Sequence, residues 1–240
     1  LVSPSCRGNS YRIKQLLPYQ PFINLLIYSE ENFLFSILEM YLTNPSIFLY
    51  LGSIRICSLH SLVKFFFENG KPVYKKRGGF AVLKTMLHSL KAQNPANTII
   101  IDGGDCFQGG GVAALTEGRG IVPLINNIGY DLILPGNWEV VYGKDAMLKD
   151  LGSYNSAKIC ANMFHDTTDE FKNELIFPPY WTKMLGGVKI GFIGYNDPLT
   201  PKRQSPAYSK GITFTKPETN VARYIKILKE YEKCAMVFLV

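Results

Sequence analysis

The sequence has no aspartate before residue 102 and only three histidines in its 240 residues. Its cysteines are odd in number, widely spaced and without a C-x-x-C pair, so they indicate neither a zinc knuckle nor a disulfide framework. They lie at Cys6, Cys57, Cys106, Cys160 and Cys234. A site that needs an aspartate must therefore take it from the later part of the chain.

The basic residues also lack a pattern. The net charge is +7 and the pI about 9.1, but lysine and arginine are scattered, and Lys75, Lys76 and Arg77 form the only tight cluster. Aromatic residues do not alternate with arginine in the way that is typical of nucleic-acid binding. We therefore expect no nucleic-acid partner.

Two apolar runs, 22–28 and 33–51, dominate the first part of the chain. The second run approaches the length of a membrane span, but Glu39, Asn44 and Pro45 interrupt it. Core or irregular segments are the favoured interpretation, and a membrane helix is the alternative. No small-residue cleavage site follows a single short apolar run, so a signal peptide is not indicated.

The sequence pattern changes near residue 70. Residues 1–70 form an unassigned apolar and aromatic segment, whereas 71–240 alternate helical and strand patterns, as expected for an α/β domain with a parallel sheet. We predict helices after Gly79, over 112–127, over 144–151 and from Thr215, where T-x-x-E suggests a capping box. The predicted strands are 98–102, 130–135, 157–162, a hairpin over 180–195 turning at Gly186–Gly187, and 235–240.

Polar residues follow two of the predicted parallel strands, where open α/β sheets bind ligands. Asp105 follows the strand TIIID, and Asn137 follows YDLILP within the turn GNWE. Carboxylate and amide oxygens suit divalent ions, and an aspartate can bridge two of them. Each residue alone could instead form a turn or cap a helix.

Other candidates are weaker. The run Gly109–Gly111 resembles a phosphate cradle but lacks the Lys-Ser/Thr of a P-loop. Trp138 and Tyr142 could line a pocket, although core packing is the simpler interpretation. The histidines His60, His88 and His165 are isolated in the sequence.

Three blocks resemble the calcineurin-like phosphoesterases of the 5'-nucleotidase class. They are GGFAVLKTMLHSLKAQNPANTIIIDGGDCFQGGG, LTEGRGIVPLINNIGYDLILPGNWEVVYG and GGVKIGFIGYNDP. The resemblance implies an α/β/β/α sandwich of two sheets flanked by helices and a centre of two manganese or zinc ions. It also implies hydrolysis of a nucleotide or other phosphoester by metal-activated water, and a periplasmic or secreted location. Asp105 and Asn137 match the family's metal ligands.

The chain also departs from the family. An Asp-x-His pair should precede Lys71, but Ser58 stands two residues before His60. The family's Gly-Asn-His block has Trp138 in place of histidine, and we assign Trp138 and Glu139 to the catalytic group. A Trp-Glu pair is similar to the SoxB thiosulfohydrolase branch, which generally has histidine where this chain has Asn137.

These departures lead to three hypotheses. We expect a phosphoester hydrolase whose domain is incomplete at the C-terminus, and which is inactive as a fragment. A SoxB-like thiosulfohydrolase and a non-catalytic relative are the alternatives.

Overall fold

The computed structural model describes residues 11–12, 23–30, 33–41, 46–53, 62–108, 110–167, 170 and 173–240. The strands are β1 (Tyr11–Arg12), β2 (Ile23–Glu30), β3 (Phe33–Tyr41), β4 (Ser46–Ser53), β5 (Leu62–Glu68), β6 (Lys71–Arg77), β7 (Thr98–Asp102), β8 (Leu132–Ile133), β9 (Ala157–Lys158), β10 (Met163–His165), β11 (Tyr180–Leu185), β12 (Val188–Ile193), β13 (Ile212–Phe214) and β14 (Met236–Leu239). The helices are α1 (Phe80–Lys91), α2 (Gly111–Leu115), α3 (Val122–Ile128), α4 (Lys144–Gly152), α5 (Thr200–Arg203) and α6 (Pro217–Lys226).

Within the described residues, the larger sheet has seven strands in the order β1-β2-β3-β4-β7-β8-β9. Strands β4, β7, β8 and β9 run parallel, and all five residues of β7 are buried. This arrangement confirms the predicted parallel sheet. Strand β4 pairs with β7 so that Gly52 lies opposite Asp102, which places residues from before position 70 in the same sheet. The boundary near residue 70 stays a prediction.

A second sheet of three strands packs on the first. Hairpin strands β11 and β12 are antiparallel, and β14 adds in parallel to β12. The hairpin was predicted and is confirmed. Ile101 and Leu132 of the large sheet share one apolar cluster with Ile190 and Phe192 of the small sheet. The two sheets therefore enclose a common core.

Helices cover the outer faces of both sheets. Leu87 of α1, Ile125 of α3 and Met147 of α4 belong to one core cluster with Ile100 of β7. On the other side, Tyr224 and Leu228 cluster with Ile193 of β12. These contacts confirm the α/β/β/α order that the resemblance implies.

Several predicted elements differ from the structure. The helix expected over 112–127 is broken between α2 and α3, because Glu117 and Gly118 both have positive φ, and α3 begins anew at Val122 with Pro123 in its first turn. The capping box at Thr215 is wrong: α6 begins at Pro217, Lys216 is its N-cap residue, and it has no side-chain cap bond. Thr215 instead accepts two hydrogen bonds at its backbone oxygen, from Asn162 Nδ2 and Tyr195 Oη.

Two predicted strands are shorter than expected. The strands predicted over 130–135 and 157–162 reduce to β8 and β9. The chain after β9 forms β10, which pairs with β13 in a separate two-stranded sheet. The residues beyond the ends of β8 and β9 are thereby left as loops at one edge of the large sheet.

Strand β3 and most of β4 lie within the apolar run 33–51. Among the described residues, no helix has the length and apolar character that a membrane span requires. His88 links α1 to α3, because its Nε2 lies 2.8 Å from the backbone oxygen of Ile128. His60 and Gly109 lie outside the described residues.

Candidate functional site

Two glycines bring the candidate loops together at the carboxyl ends of β7 and β8. A Cβ atom on Gly104 would lie 2.2 Å from the backbone nitrogen of Gly136, and Gly104 has a φ of +86°. A Cβ atom on Gly136 would lie 2.3 Å from Asp105 Oδ1. Only glycine fits at these positions, because any side chain would collide with the facing loop.

Glu139 binds the two loops to each other. Its side chain is 1% exposed. Its Oε2 accepts the backbone N–H of Asp105 at 2.8 Å and that of Gly136 at 2.6 Å, while Oε1 accepts the N–H of Cys106 at 2.6 Å. These contacts give Glu139 the geometry of an anchor within the site, and its catalytic assignment stays a prediction.

Asp105 lies between the two loops. It is half-buried and has a φ of 67°, which is uncommon for a residue with a side chain. Its Oδ1 accepts the backbone N–H of Trp138 at 3.2 Å. Strained backbone of this kind concentrates at functional sites, so the conformation of Asp105 supports the hypothesis that this carboxylate has a role.

The predicted residues of the second loop adjoin Asp105. Asn137 and Trp138 are half-buried. The backbone oxygen of Asn137 accepts a hydrogen bond from Gln204 Nε2 at 2.6 Å, and the oxygen of Pro135 accepts one from Asn196 Nδ2 at 2.7 Å. The structure thus brings together the four residues that the sequence singled out: Asp105, Asn137, Trp138 and Glu139.

Two buried carboxyls beside these loops have altered acidity. Burial raises the pKa of Asp102 to about 7, and the Cys106 thiol and the Gly104 N–H, which both donate to it, oppose that rise. Burial, and then the charge of Asp105, raise the pKa of Glu139 to about 8. Three acidic groups in a small volume disfavour further negative charge and favour a cation.

The donor atoms fit a divalent ion in part. Asp105 and Asn137 offer the carboxylate and amide oxygens that manganese or magnesium accept. Within the described part of the chain, however, no three His, Cys, Asp or Glu residues are grouped so as to hold a metal ion. Asp105 and Asn137 alone do not complete a two-metal site.

Sequence reasoning missed Asn196 and Gln204. Asn196 follows the carboxyl end of β12, so the rule that pointed to Asp105 and Asn137 could have found it. Gln204 follows the short helix α5 and lies 67 residues from its partner Asn137, and no sequence signal marks it.

No protein-family model matches the chain. The 5'-nucleotidase of Vibrio vulnificus is 28% identical over 165 residues, covering 68% of this chain and 29% of that protein. The 5'-nucleotidase of Bos taurus is 26% identical over 157 residues, covering 63% and 27%. The chain thus spans less than a third of the length of these relatives.

Solved structures show the same fold. The NAD nucleotidase NadN of Haemophilus influenzae superposes with a TM-score of 0.68 at 20% identity, covering 80% of this chain and 33% of that one. The sulfate thiohydrolase SoxB of Thermus thermophilus gives 0.60 at 21% identity, covering 68% and 30%.

The calcineurin-like phosphoesterase YfkN of Bacillus subtilis gives a TM-score of 0.59 at 20% identity, covering 80% of this chain and 60% of that one. A share of 80% exceeds the part of the chain after residue 70, so the structural likeness includes residues before Lys71. Taken together, the chain has the fold of the calcineurin-like phosphoesterases, and its sequence is similar to part of the 5'-nucleotidases.

Proposed function

We propose that the protein is a metal-dependent hydrolase of phosphoesters such as nucleotides, with Asp105 and Asn137 among its metal ligands. The observation that carries this proposal is the convergence of the two residues at neighbouring strand ends, tied together by Glu139. Bound manganese or zinc would polarise the phosphoryl group of the substrate and lower the pKa of a bound water. The location outside the cytoplasm that the resemblance implies belongs to the same proposal.

The chain's own residues have separate tasks in this proposal. Asp105 and Asn137 would supply oxygen ligands to the metal. Glu139 holds both loops by accepting hydrogen bonds from three backbone N–H groups. Trp138 provides a large, half-buried indole where the family has an imidazole. The indole has one neutral N–H donor and no basic nitrogen, so it cannot give the charged contact that a protonated histidine gives to a developing negative charge.

The pair Trp138–Glu139 favours a second candidate, a SoxB-like thiosulfohydrolase that releases sulfate from a carrier-bound thiosulfonate. The structural likeness to SoxB supports it. Asn137 argues against it, since that branch generally has histidine at this position. A non-catalytic relative is the third hypothesis, because the described residues offer only two of the expected ligands.

Metal uptake and product release separate these hypotheses. We would titrate the 240-residue chain with Mn²⁺ by calorimetry, then measure phosphate release from AMP and sulfate release from a thiosulfonate. The phosphoesterase proposal expects Mn²⁺ binding, and phosphate release would show in addition that the 240-residue chain is active, against the expectation of an inactive fragment. Sulfate release alone would favour the second candidate, and no uptake would favour the non-catalytic relative.

Asp105→Asn tests the site assignment, with Asp145→Asn as the matched control. Asp145 is an exposed aspartate in the first turn of α4. Loss of a metal ligand should weaken Mn²⁺ binding at least tenfold, whereas the control should bind like the parent. Equal binding by both variants would show that Asp105 is not a ligand.

A further inference from the structure

Asn196 holds the start of the second site loop. Its side chain is 2% exposed, and its Nδ2 donates to the backbone oxygen of Pro135 at 2.7 Å. Pro135 lies two residues before the proposed ligand Asn137. The contact joins the carboxyl end of β12, in the small sheet, to the loop after β8, in the large sheet.

A buried polar network fixes the orientation of the Asn196 amide. Its Oδ1 accepts the hydroxyl of Thr200 at 3.0 Å. Its backbone N–H donates to Asn162 Oδ1 at 2.8 Å, and its backbone oxygen accepts Asn162 Nδ2, also at 2.8 Å. Because Asn162 is itself fully buried, the Asn196 side chain has little freedom to turn away from Pro135.

Gln204 holds the other side of the same turn. Its Nε2 donates to the backbone oxygen of Asn137 at 2.6 Å. Its Oε1 is buried and has no hydrogen-bond partner among the described residues. A buried amide oxygen without a partner costs free energy, so the local packing alone does not account for glutamine here, whereas its donor to Asn137 does.

The side-chain amides of Asn196 and Gln204 therefore grip the loop, in that they donate hydrogen bonds to the backbone carbonyls on either side of Gly136. Gly136 must be glycine because Asp105 and Glu139 approach it closely, and glycine leaves the backbone its greatest freedom. Fixing the carbonyls of Pro135 and Asn137 removes that freedom and sets the direction in which the Asn137 side chain leaves the chain.

We infer that Asn196 and Gln204 are positioning residues that aim Asn137 at the metal site. The role of Asn137 as the positioned ligand rests on the function proposed above. The restraint on the backbone does not rest on that function, because the hydrogen bonds from Asn196 and Gln204 to the loop are present whether or not a metal binds. Residues that orient a metal ligand in this way typically change metal affinity by ten- to a hundredfold when they are replaced.

Gln204→Met tests the inference, because methionine keeps the shape and removes the donor. Gln93→Met is the matched control, since Gln93 is exposed after α1. Hydrogen exchange of the peptide over 136–139 reports on the grip, and Mn²⁺ titration reports on ligand placement. A thermal melt of each variant shows whether it is folded.

We expect Gln204→Met to speed exchange of the amides of Gly136 and Trp138 about fivefold to tenfold, as the loss of one hydrogen bond predicts. We expect its Mn²⁺ affinity to fall about tenfold, with Gln93→Met matching the parent. Unchanged exchange and unchanged affinity in Gln204→Met would overturn the inference.

Two further outcomes are decisive. If the parent takes up no Mn²⁺, the proposed function and the ligand role of Asn137 both fail, and the exchange rates alone decide whether Gln204 grips the loop. If Gln204→Met does not fold, the smaller Gln204→Ala replaces it, because alanine also has no side-chain donor. Parent-like exchange in that variant would overturn the inference.

Discussion

The Glu139 carboxylate accepts the backbone N–H of Asp105 at 2.8 Å, although both residues carry acidic side chains. The same oxygen accepts the N–H of Gly136, and the second oxygen accepts that of Cys106. One buried acid thus determines how the loop after β7 meets the loop after β8. The negative charge of Asp105 opposes ionisation of Glu139, so a cation close to the pair would favour the ionised form of both carboxyls.

Replacing Glu139 with glutamine should loosen both loops. The glutamine NH₂ would face a backbone N–H that the acid now accepts, so at least one buried donor would lose its acceptor. We expect a loss of about 1–3 kcal/mol in the free energy of unfolding, measured by urea denaturation. Glu218→Gln, at an exposed position in the first turn of α6, should stay near the parent. Equal stability of the two variants would contradict the anchoring role.

Gly136→Ala should be more damaging than its small size suggests. The added methyl group would lie 2.3 Å from Asp105 Oδ1 and 2.5 Å from the Asp105 backbone nitrogen. This clash can be relieved only if the two loops separate, so we expect the free energy of unfolding to fall by more than about 3 kcal/mol. Gly152→Ala is the control, because a Cβ there meets nothing within 4 Å. Thermal melts of both variants test the close approach, and similar melting temperatures would show that the loops are not in contact.

The sequence predicted those parts of the fold that depend on local pattern. The spacing of Phe80, Leu83 and Leu87 predicts α1, and the turn at Gly186–Gly187 predicts the β11–β12 hairpin. Asp105 and Asn137 could be placed together because both follow parallel strands.

The sequence did not predict features that depend on distant partners. Thr215 and Glu218 match a capping box, but Lys216 and Pro217 begin the helix instead. The Thr215 backbone oxygen accepts Asn162 Nδ2 from 53 residues away. The catalytic assignment of Glu139 stays a prediction, and its hydrogen bonds to three backbone amides could not be predicted because two of them join loops that are distant in the sequence.

Asp102 should make stability depend on pH. Burial raises its pKa from an ordinary 3.8 to about 7 in the folded chain. Between these values the folded state holds a proton that the unfolded state has lost, so the free energy of unfolding falls as the pH rises through this window. The stability contribution is fully present below about pH 3.8 and is lost above about pH 7.

Asp102→Asn should remove that dependence, because asparagine resembles the neutral acid. Urea denaturation at several pH values should show that the free energy of unfolding of the variant rises relative to that of the parent, by a few kcal/mol between pH 4 and pH 8. For Asp145→Asn, at an exposed position, the free energy of unfolding should depend on pH as it does in the parent. A constant difference between Asp102→Asn and the parent across this range would mean that Asp102 does not titrate there.

Cys160 should resist alkylation in the folded protein. Its side chain is fully buried after β9, and its Sγ donates to Asn162 Oδ1 at 3.2 Å. Burial raises the pKa of the thiol to about 11, and the thiolate is the form that reacts. At pH 8 we therefore expect iodoacetamide to modify Cys160 at least a hundredfold more slowly in native protein than in denaturant, as followed by peptide mass spectrometry. Asn162 also hydrogen-bonds Asn196. Rapid labelling of Cys160 in native protein would therefore show that this buried network opens and does not hold Asn196 rigidly against Pro135.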